Sequence, residues 1–347
     1  MSSVSQNIEL SPKKKSEDLS LDVALRPKSF EEYVGQDKVK RNLKILIEAA
    51  KKRGEPLEHL LFYGPAGLGK TTLAYLIAKE TASQIKITSG PAVEKIGDLA
   101  SILTNLSPGD ILFIDEAHRL NKLIEEILYP AMENRSLDII IGKGPSARTI
   151  QLELPPFTLI AATTRIALLS SPLRSRFSGG AFRLDFYNQP DIEKIIKRSA
   201  GILSVQIEAG AVPLIASRSR FTPRIANRLL KRARDFAEVK GPPAGGGVVT
   251  SALAEEALKL LEIDELGLEA VDRKILDTII RKFAGGPVGL STISASTMEE
   301  EDTIEEIYEP YLMQLGFLER TPRGRLATPR AYEHLGLKAP SDQQKLI

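Results

Sequence analysis

Between an apolar run at 60–63 and a helical pattern ending at Glu80 lies Gly64-Pro65-Ala66-Gly67-Leu68-Gly69-Lys70-Thr71, which fits G-x-x-x-x-G-K-[ST]. Strand, glycine-rich turn and helix in this order make a phosphate cradle: the glycines let the backbone turn its N–H groups onto phosphate oxygens at a helix N-terminus, where the helix dipole favours negative charge. Lys70 would then reach the β and γ phosphates, and the Thr71 hydroxyl would be a magnesium ligand. A glycine turn that merely ends a strand is the competing reading, and the flanking pattern weighs against it.

Further apolar runs at 85–87, 111–114, 139–141 and 157–161 alternate with helical patterns. This predicts an α/β domain whose parallel sheet is covered by helices. After Tyr187 the strand signals stop, and 190–203, 222–239 and 251–263 read as helices of a small helical domain, with Gly-Pro-rich 241–247 as a surface loop. From Glu265 a third unit begins: amphipathic segments at 271–283 and 302–317, then two short strands around Pro322-Arg323-Gly324-Arg325, the outline of a winged helix. The expected division is a disordered N-terminus at 1–19, a large α/β domain at 20–186, a small helical domain at 187–264, a winged-helix domain at 265–337 and a flexible tail at 338–347.

Composition narrows the class. The 347 residues suffice for two or three domains at about 100 to 200 each. The 47 Lys and Arg nearly balance 45 Asp and Glu, so a basic surface for nucleic acid must be local. With no cysteine there is no disulfide, thiolate zinc site or thiol nucleophile, which suits a reducing cytoplasm. The first nineteen residues lack the apolar core of a secretory signal, and no run approaches the roughly twenty apolar residues that span a membrane.

A second site must complete the first. The strand-like segment 110–115 ends in Asp115-Glu116, where a metal-binding Asp and a water-activating Glu belong in this class of NTPase. Two acids capping the next helix are the alternative. Asp115 to His118 also spells DEAH, the name of a helicase superfamily with two motor lobes, but the chain has room for one nucleotide lobe only. His118 is therefore assigned no chemistry.

Arg174 and Arg176 follow an apolar strand ending in Thr163 and Thr164, and Arg224 begins a lid helix. With these residues, and with segments such as LRPKSFEEYVGQ, LFIDEAHRLN, IIIGKGPSAR, TPRIANRLL and RTPRGRLAT, the sequence resembles the AAA+ ATPases and, within them, the RuvB family that drives branch migration of Holliday junctions. The resemblance covers nearly the whole chain. It implies an ATP hydrolase with ATP and Mg2+ as cofactors, in which Gly64, Gly67, Leu68, Gly69, Lys70, Thr71 and Thr72 hold the phosphates. Leu25, Arg26, Tyr33, Val34 and Tyr187 would lie against adenine. Asp115 would hold the metal, Glu116 activate water, Thr164 sense the γ-phosphate and Arg224 act as second sensor. Arg176 would be the arginine finger for a neighbour's nucleotide, which implies a hexameric ring. The sequence departs from the family pattern at Ala66, at Phe221 where glycine is usual, at Ser178-Gly179-Gly180, and at 133–135.

Arg320, Arg323, Arg325 and Arg330 fall within eleven residues with no acid between them. They are read as a local basic edge on the wing that grips duplex and four-way junction DNA through phosphates, largely without sequence preference. The helix before it carries Glu305, Glu306 and Glu309, which phosphates would repel. The segment 137–154 reads as a hairpin whose exposed Ile139, Ile141, Ile150 and Leu152 would, by the resemblance, dock a RuvA-type junction-binding protein; packing on the core is the alternative for a hairpin, which is marginal alone. A RuvC-type resolvase is a further partner the resemblance admits. The rival functions are a clamp-loader-type AAA+ ATPase and an ATP-switched DNA-binding regulator with little hydrolysis.

Overall fold

The computed structural model describes residues 23–141, 148–241 and 247–340. The expected disordered segment at 1–19, the hairpin tip, most of the 241–247 loop and most of the tail lie outside the described residues.

Five parallel strands form the central sheet in the order β2-β3-β6-β1-β7. They are β1 (Leu60–Tyr63), β2 (Ile85–Ser89), β3 (Ile111–Asp115), β6 (Thr158–Thr163) and β7 (Gly180–Arg183). Two further strands of this domain, β4 (Ser136–Ile141) and β5 (Arg148–Glu153), pair antiparallel as a separate hairpin, with Leu137 opposite Leu152. The apolar run at 139–141 therefore belongs to the hairpin and not to the parallel sheet. The sheet's other edge strand, β7, has too little apolar periodicity to be seen in the sequence. It starts at the Ser178-Gly179-Gly180 departure, which packing explains: a Cβ on Gly179 would stand 2.7 Å from Leu60 and 3.0 Å from the His59 carbonyl.

Both faces of the sheet are covered, which is why its central strands read as continuous apolar runs. Side chains alternate along β1. Leu60 and Phe62 face α1 (Asp37–Arg53), α2 (Lys70–Glu80) and the lid. Leu61 faces α3 (Ile96–Thr104) and α4 (Lys122–Glu133). The first of these cores runs without interruption into the lid helices α5 (Gln189–Ile202), α6 (Ala211–Ser217), α7 (Pro223–Lys240) and α8 (Ser251–Leu260). Side-chain caps start three of the four: Asn188, Thr222 and Thr250 accept from backbone N–H groups of the first turn. α6 is short and contains Pro213, so the sequence pattern does not reveal it.

The third core is built from α9 (Ala270–Asp277), α10 (Leu290–Thr297), α11 (Glu309–Gln314), α12 (Pro329–His334) and the antiparallel pair β8 (Leu318–Thr321) and β9 (Gly324–Ala327). A π-helical stretch, Ile304–Tyr308, leads into α11. Helices and hairpin together make a winged helix. The lid joins this unit through Arg220 and Phe221. Arg220 Nη2 lies 2.7 Å from Asp272 Oδ1, and its guanidinium sits 4.6 Å from the centre of the Tyr311 ring. Phe221 packs against the third core with its ring 6.2 Å from that of Tyr311. Its φ of +53° lies in the left-handed region, which is the physical reason glycine is usual there. Among the described residues, no helix is long and apolar enough to cross a membrane.

Candidate functional site: a nucleotide cavity between core and lid

β1 ends at Tyr63 and the chain turns at once. Gly64 has φ +132°, and a Cβ there would come 2.4 Å from the Leu184 carbonyl oxygen; Gly69, at φ +96°, would drive one to 2.7 Å from the Tyr33 hydroxyl. Both positions exclude a side chain on backbone conformation and on space. Lys70 opens α2 with its ammonium donating to the carbonyls of Gly64 at 2.7 Å and Pro65 at 2.8 Å. Burial pushes its pKa down to about 8, with Asp115 opposing the shift and Arg224 adding to it. Thr71 Oγ1 lies 3.1 Å from Asp115 Oδ2, so two hard oxygen donors from α2 and β3 stand side by side.

β3 delivers Asp115 and Glu116 to the same edge of the sheet. The Glu116 N–H donates to Asp115 Oδ1 at 3.0 Å, and Glu116 itself is held at φ +47°. A non-glycine residue in that conformation is strained, and such strain is concentrated at functional sites. The neighbouring strand β6 brings Thr163 and then Thr164 alongside, and Thr164 faces the cavity.

Away from the phosphate loop the cavity is closed by residues from three places in the sequence. Leu25, Arg26, Tyr33 and Val34 line it from the N-terminal segment, Tyr187 from the junction with the lid, and Arg224 from α7. Tyr33 and Tyr187 are buried, and both hydroxyls donate to the Leu68 carbonyl, at 3.2 and 3.3 Å. Burial raises both phenol pKa values, that of Tyr187 to about 12. Neither tyrosine ionises near neutrality; both act as neutral donors that fix the phosphate loop.

Of the anticipated residues, Gly67, Gly69, Lys70, Thr71, Thr72, Asp115, Glu116, Thr164 and Arg224 also line this cavity. Gly64 and Leu68 do not: Gly64 contributes a carbonyl to Lys70, and the Leu68 side chain is wholly buried in the core. Arg176 does not line it either. It stacks 4.4 Å from the centre of the Tyr129 ring, donates to the Pro172 carbonyl at 2.7 Å and reaches Glu133 at 3.3 Å. Sequence reasoning missed Arg198 on α5. Its guanidinium donates to the carbonyls of Leu25 at 2.8 Å and Arg26 at 3.2 Å and pairs with Glu32 at 2.9 Å, tying the N-terminal segment to the lid. One arginine on an amphipathic helix carries no local signal of such a role.

On the wing, the expected basic edge is only half present. Arg320 and Arg325 both bond to Glu309, whose side chain is 1% exposed, and Arg320 also lies 3.2 Å from Glu305. The acids of the preceding helix thus neutralise two of the four arginines, because helix and hairpin pack together; Arg323 and Arg330 are exposed and have no carboxylate partner among the described residues. At the core hairpin, Ile150 is 44% exposed, while Leu152 is half-buried against the large-domain core and is not the exposed residue anticipated. The side chains of Ile139 and Ile141 lie outside the described residues.

Comparison with known proteins covers all three units. The profile of the Holliday junction DNA helicase RuvB P-loop domain matches residues 25–183, that of the RuvB AAA lid domain 187–264, and that of the RuvB C-terminal winged helix domain 265–336. The Holliday junction branch migration complex subunit RuvB of Dehalococcoides mccartyi strain CBDB1 is 58% identical over 334 residues, which is 96% of this chain and 94% of the relative. The structure of the Thermotoga maritima RuvB Holliday junction branch migration motor superposes with TM-score 0.83 at 50% identity, covering 91% of this chain and 100% of that one. A single-residue variant of the same protein gives TM-score 0.84 at 51% identity, covering 91% and 99%. A nucleotide cavity of this build, set between a parallel sheet and a helical lid and followed by a winged helix, places the chain in the RuvB family of AAA+ branch migration ATPases.

Proposed function

We propose that this chain hydrolyses ATP with Mg2+ in a hexameric ring and uses the cycle to pull duplex DNA, moving four-way junctions. The observation that carries the reading is the convergence of Lys70, Thr71, Asp115, Glu116, Thr164 and Arg224 on one cavity. Thr71 and Asp115 supply the oxygen donors that suit Mg2+, which when bound offsets charge on the β and γ phosphates. Lys70 exchanges its two carbonyl bonds for phosphate oxygens. Glu116 orients the attacking water and takes its proton, and Thr164 donates its hydroxyl to the γ-phosphate. Arg224 brings the lid onto the nucleotide. Arg176, which points away from its own cavity, serves a neighbouring subunit's nucleotide; in GTPases a finger of this kind contributes about 10³ to 10⁵ in rate. The exposed side of the hairpin, with Ile150, docks a RuvA-type protein, and the wing holds DNA.

The test is a pair of variants in ATP-dependent dissociation of a synthetic four-way junction, with and without the RuvA-type partner. Glu116→Gln should bind ATP and fail to turn it over. Arg176→Ala should bind ATP and hydrolyse it poorly, with activity partly restored on mixing with Lys70→Ala protein. Normal turnover by Glu116→Gln would refute the assignment of the base.

A further inference from the structure

The winged helix reaches the nucleotide site directly. Glu306, in the π-helical stretch before α11, accepts the Thr164 hydroxyl at 3.2 Å, and its other oxygen lies 3.7 Å from His118 Nε2 and 3.5 Å from Arg165. Arg165 also lies 3.0 Å from Asp302 and pairs with Glu305. The His118 side chain is 5% exposed, its Nδ1 is 3.0 Å from Thr163 Oγ1, and that oxygen accepts from the Arg165 N–H at 3.0 Å. Three acids of one domain thus close on the strand end that carries the residue read above as the γ-phosphate sensor.

One of these acids also faces the wing. Glu305 lies 3.2 Å from Arg320 and 3.9 Å from Arg325, both of which share Glu309. One unbroken set of contacts runs from Thr164 through Glu306, Arg165 and Glu305 to the wing arginines. We infer that Glu306 is a positioning residue for ATP hydrolysis, holding the Thr164 hydroxyl away from the γ-phosphate until ATP displaces the winged helix. The inference rests on the sensor reading of Thr164.

The chemistry is a competition for one proton. A threonine hydroxyl has a single O–H to donate, so Thr164 cannot donate to Glu306 and to a γ-phosphate oxygen together. Glu306 also places a carboxylate beside the site of a developing anion, and like charges repel. ADP lacks the γ-phosphate and meets neither obstacle. Docking of the winged helix should therefore oppose ATP and be indifferent to ADP.

The ratio of ATP-analogue to ADP affinity reads this competition, and a merely structural contact would not move it. Glu306→Gln should raise the ratio roughly three- to tenfold, the scale of exchanging a charged hydrogen-bond acceptor for a neutral one. Arg165→Gln, which breaks the same docking from the ATPase side, should raise it too and guards against a fold defect in the first variant. Thr164→Val should lower the ratio and make it insensitive to Glu306→Gln. Since the chain has no cysteine, a label pair at Ile45→Cys and Met298→Cys, 66% and 91% exposed in the native chain, would report the separation of the two domains. It should change on adding a non-hydrolysable ATP analogue and not on adding ADP. If Thr164→Val leaves the ratio unchanged, the sensor reading fails. If Thr164→Val lowers it while both Glu306→Gln and Arg165→Gln leave it within twofold, the sensor stands and the coupling proposed here is overturned.

Discussion

The nucleotide cavity and the wing both present cations, and they hold them in opposite ways. In the cavity, Lys70 is buried against two backbone carbonyls, and Arg224 has no carboxylate partner among the described residues. On the wing, Arg320 and Arg325 are tied to Glu309 and Glu305. A phosphate entering the cavity displaces neutral dipoles. A phosphate reaching Arg320 or Arg325 meets charge already neutralised. Counting arginines in a sequence therefore overstates the attraction of a surface whose acids lie one helix away, and a buried lysine can be worth more than several paired arginines.

The largest effect belongs to the cavity. Lys70→Ala should weaken ATP binding at least about a hundredfold, since a charged hydrogen-bond donor to phosphate is removed from a desolvated site. Equilibrium nucleotide titration checks this, and affinity within threefold of the parent would break the contrast at its stronger end.

Next comes the paired half of the wing. Arg325→Ala leaves Glu309 buried with one partner fewer, and breaking such a pair costs about 3 kcal/mol, to be read from denaturant unfolding. Its effect on the salt dependence of duplex binding should be small. Arg323→Ala and Arg330→Ala should behave in the reverse manner, with stability unchanged and the slope of log affinity against log salt flattened by about 0.9 for each DNA phosphate no longer neutralised. Equal slopes for all variants would show that pairing with acids is irrelevant to DNA.

A subtler test uses the depressed pKa of Lys70. Phosphate beside the ammonium restores its proton, so ATP binding at pH 8 should take up about half a proton, and almost none at pH 6. Calorimetry in buffers of different ionisation enthalpy measures the uptake, and Lys70→Arg should abolish it. The sign for stability follows from the same shift. Between about pH 8 and 10.5 the unfolded chain holds a proton on this lysine that the folded chain has released, so the Lys70 contribution to stability rises with pH across that window.

The smallest change should come from Phe221→Gly. It relieves a left-handed φ worth about 1 kcal/mol and removes a ring contact with Tyr311 worth about 0.5 to 1.5 kcal/mol. Thermal unfolding should move little in either direction.

What is legible in the sequence is local. The phosphate loop announces itself because turn, glycines and lysine are contiguous, and Asp115-Glu116 because it ends an apolar run. The hidden parts depend on contacts between distant residues. β7 is recognisable only as a neighbour of β1, and Arg198 acquires its role from carbonyls far earlier in the chain. The wing misleads for a related reason. Glu305 and Glu309 lie close to the arginines in sequence, yet only the packing of helix on hairpin decides whether they repel the same ligand or neutralise the cations that would hold it.

Arg198 carries one more consequence. It sits on the lid, yet its bonds end on the backbone of Leu25 and Arg26, which line the cavity from the N-terminal segment. That wall of the cavity is thus fastened to the lid by one side chain, so any movement of the lid would carry residues 25 and 26 with it.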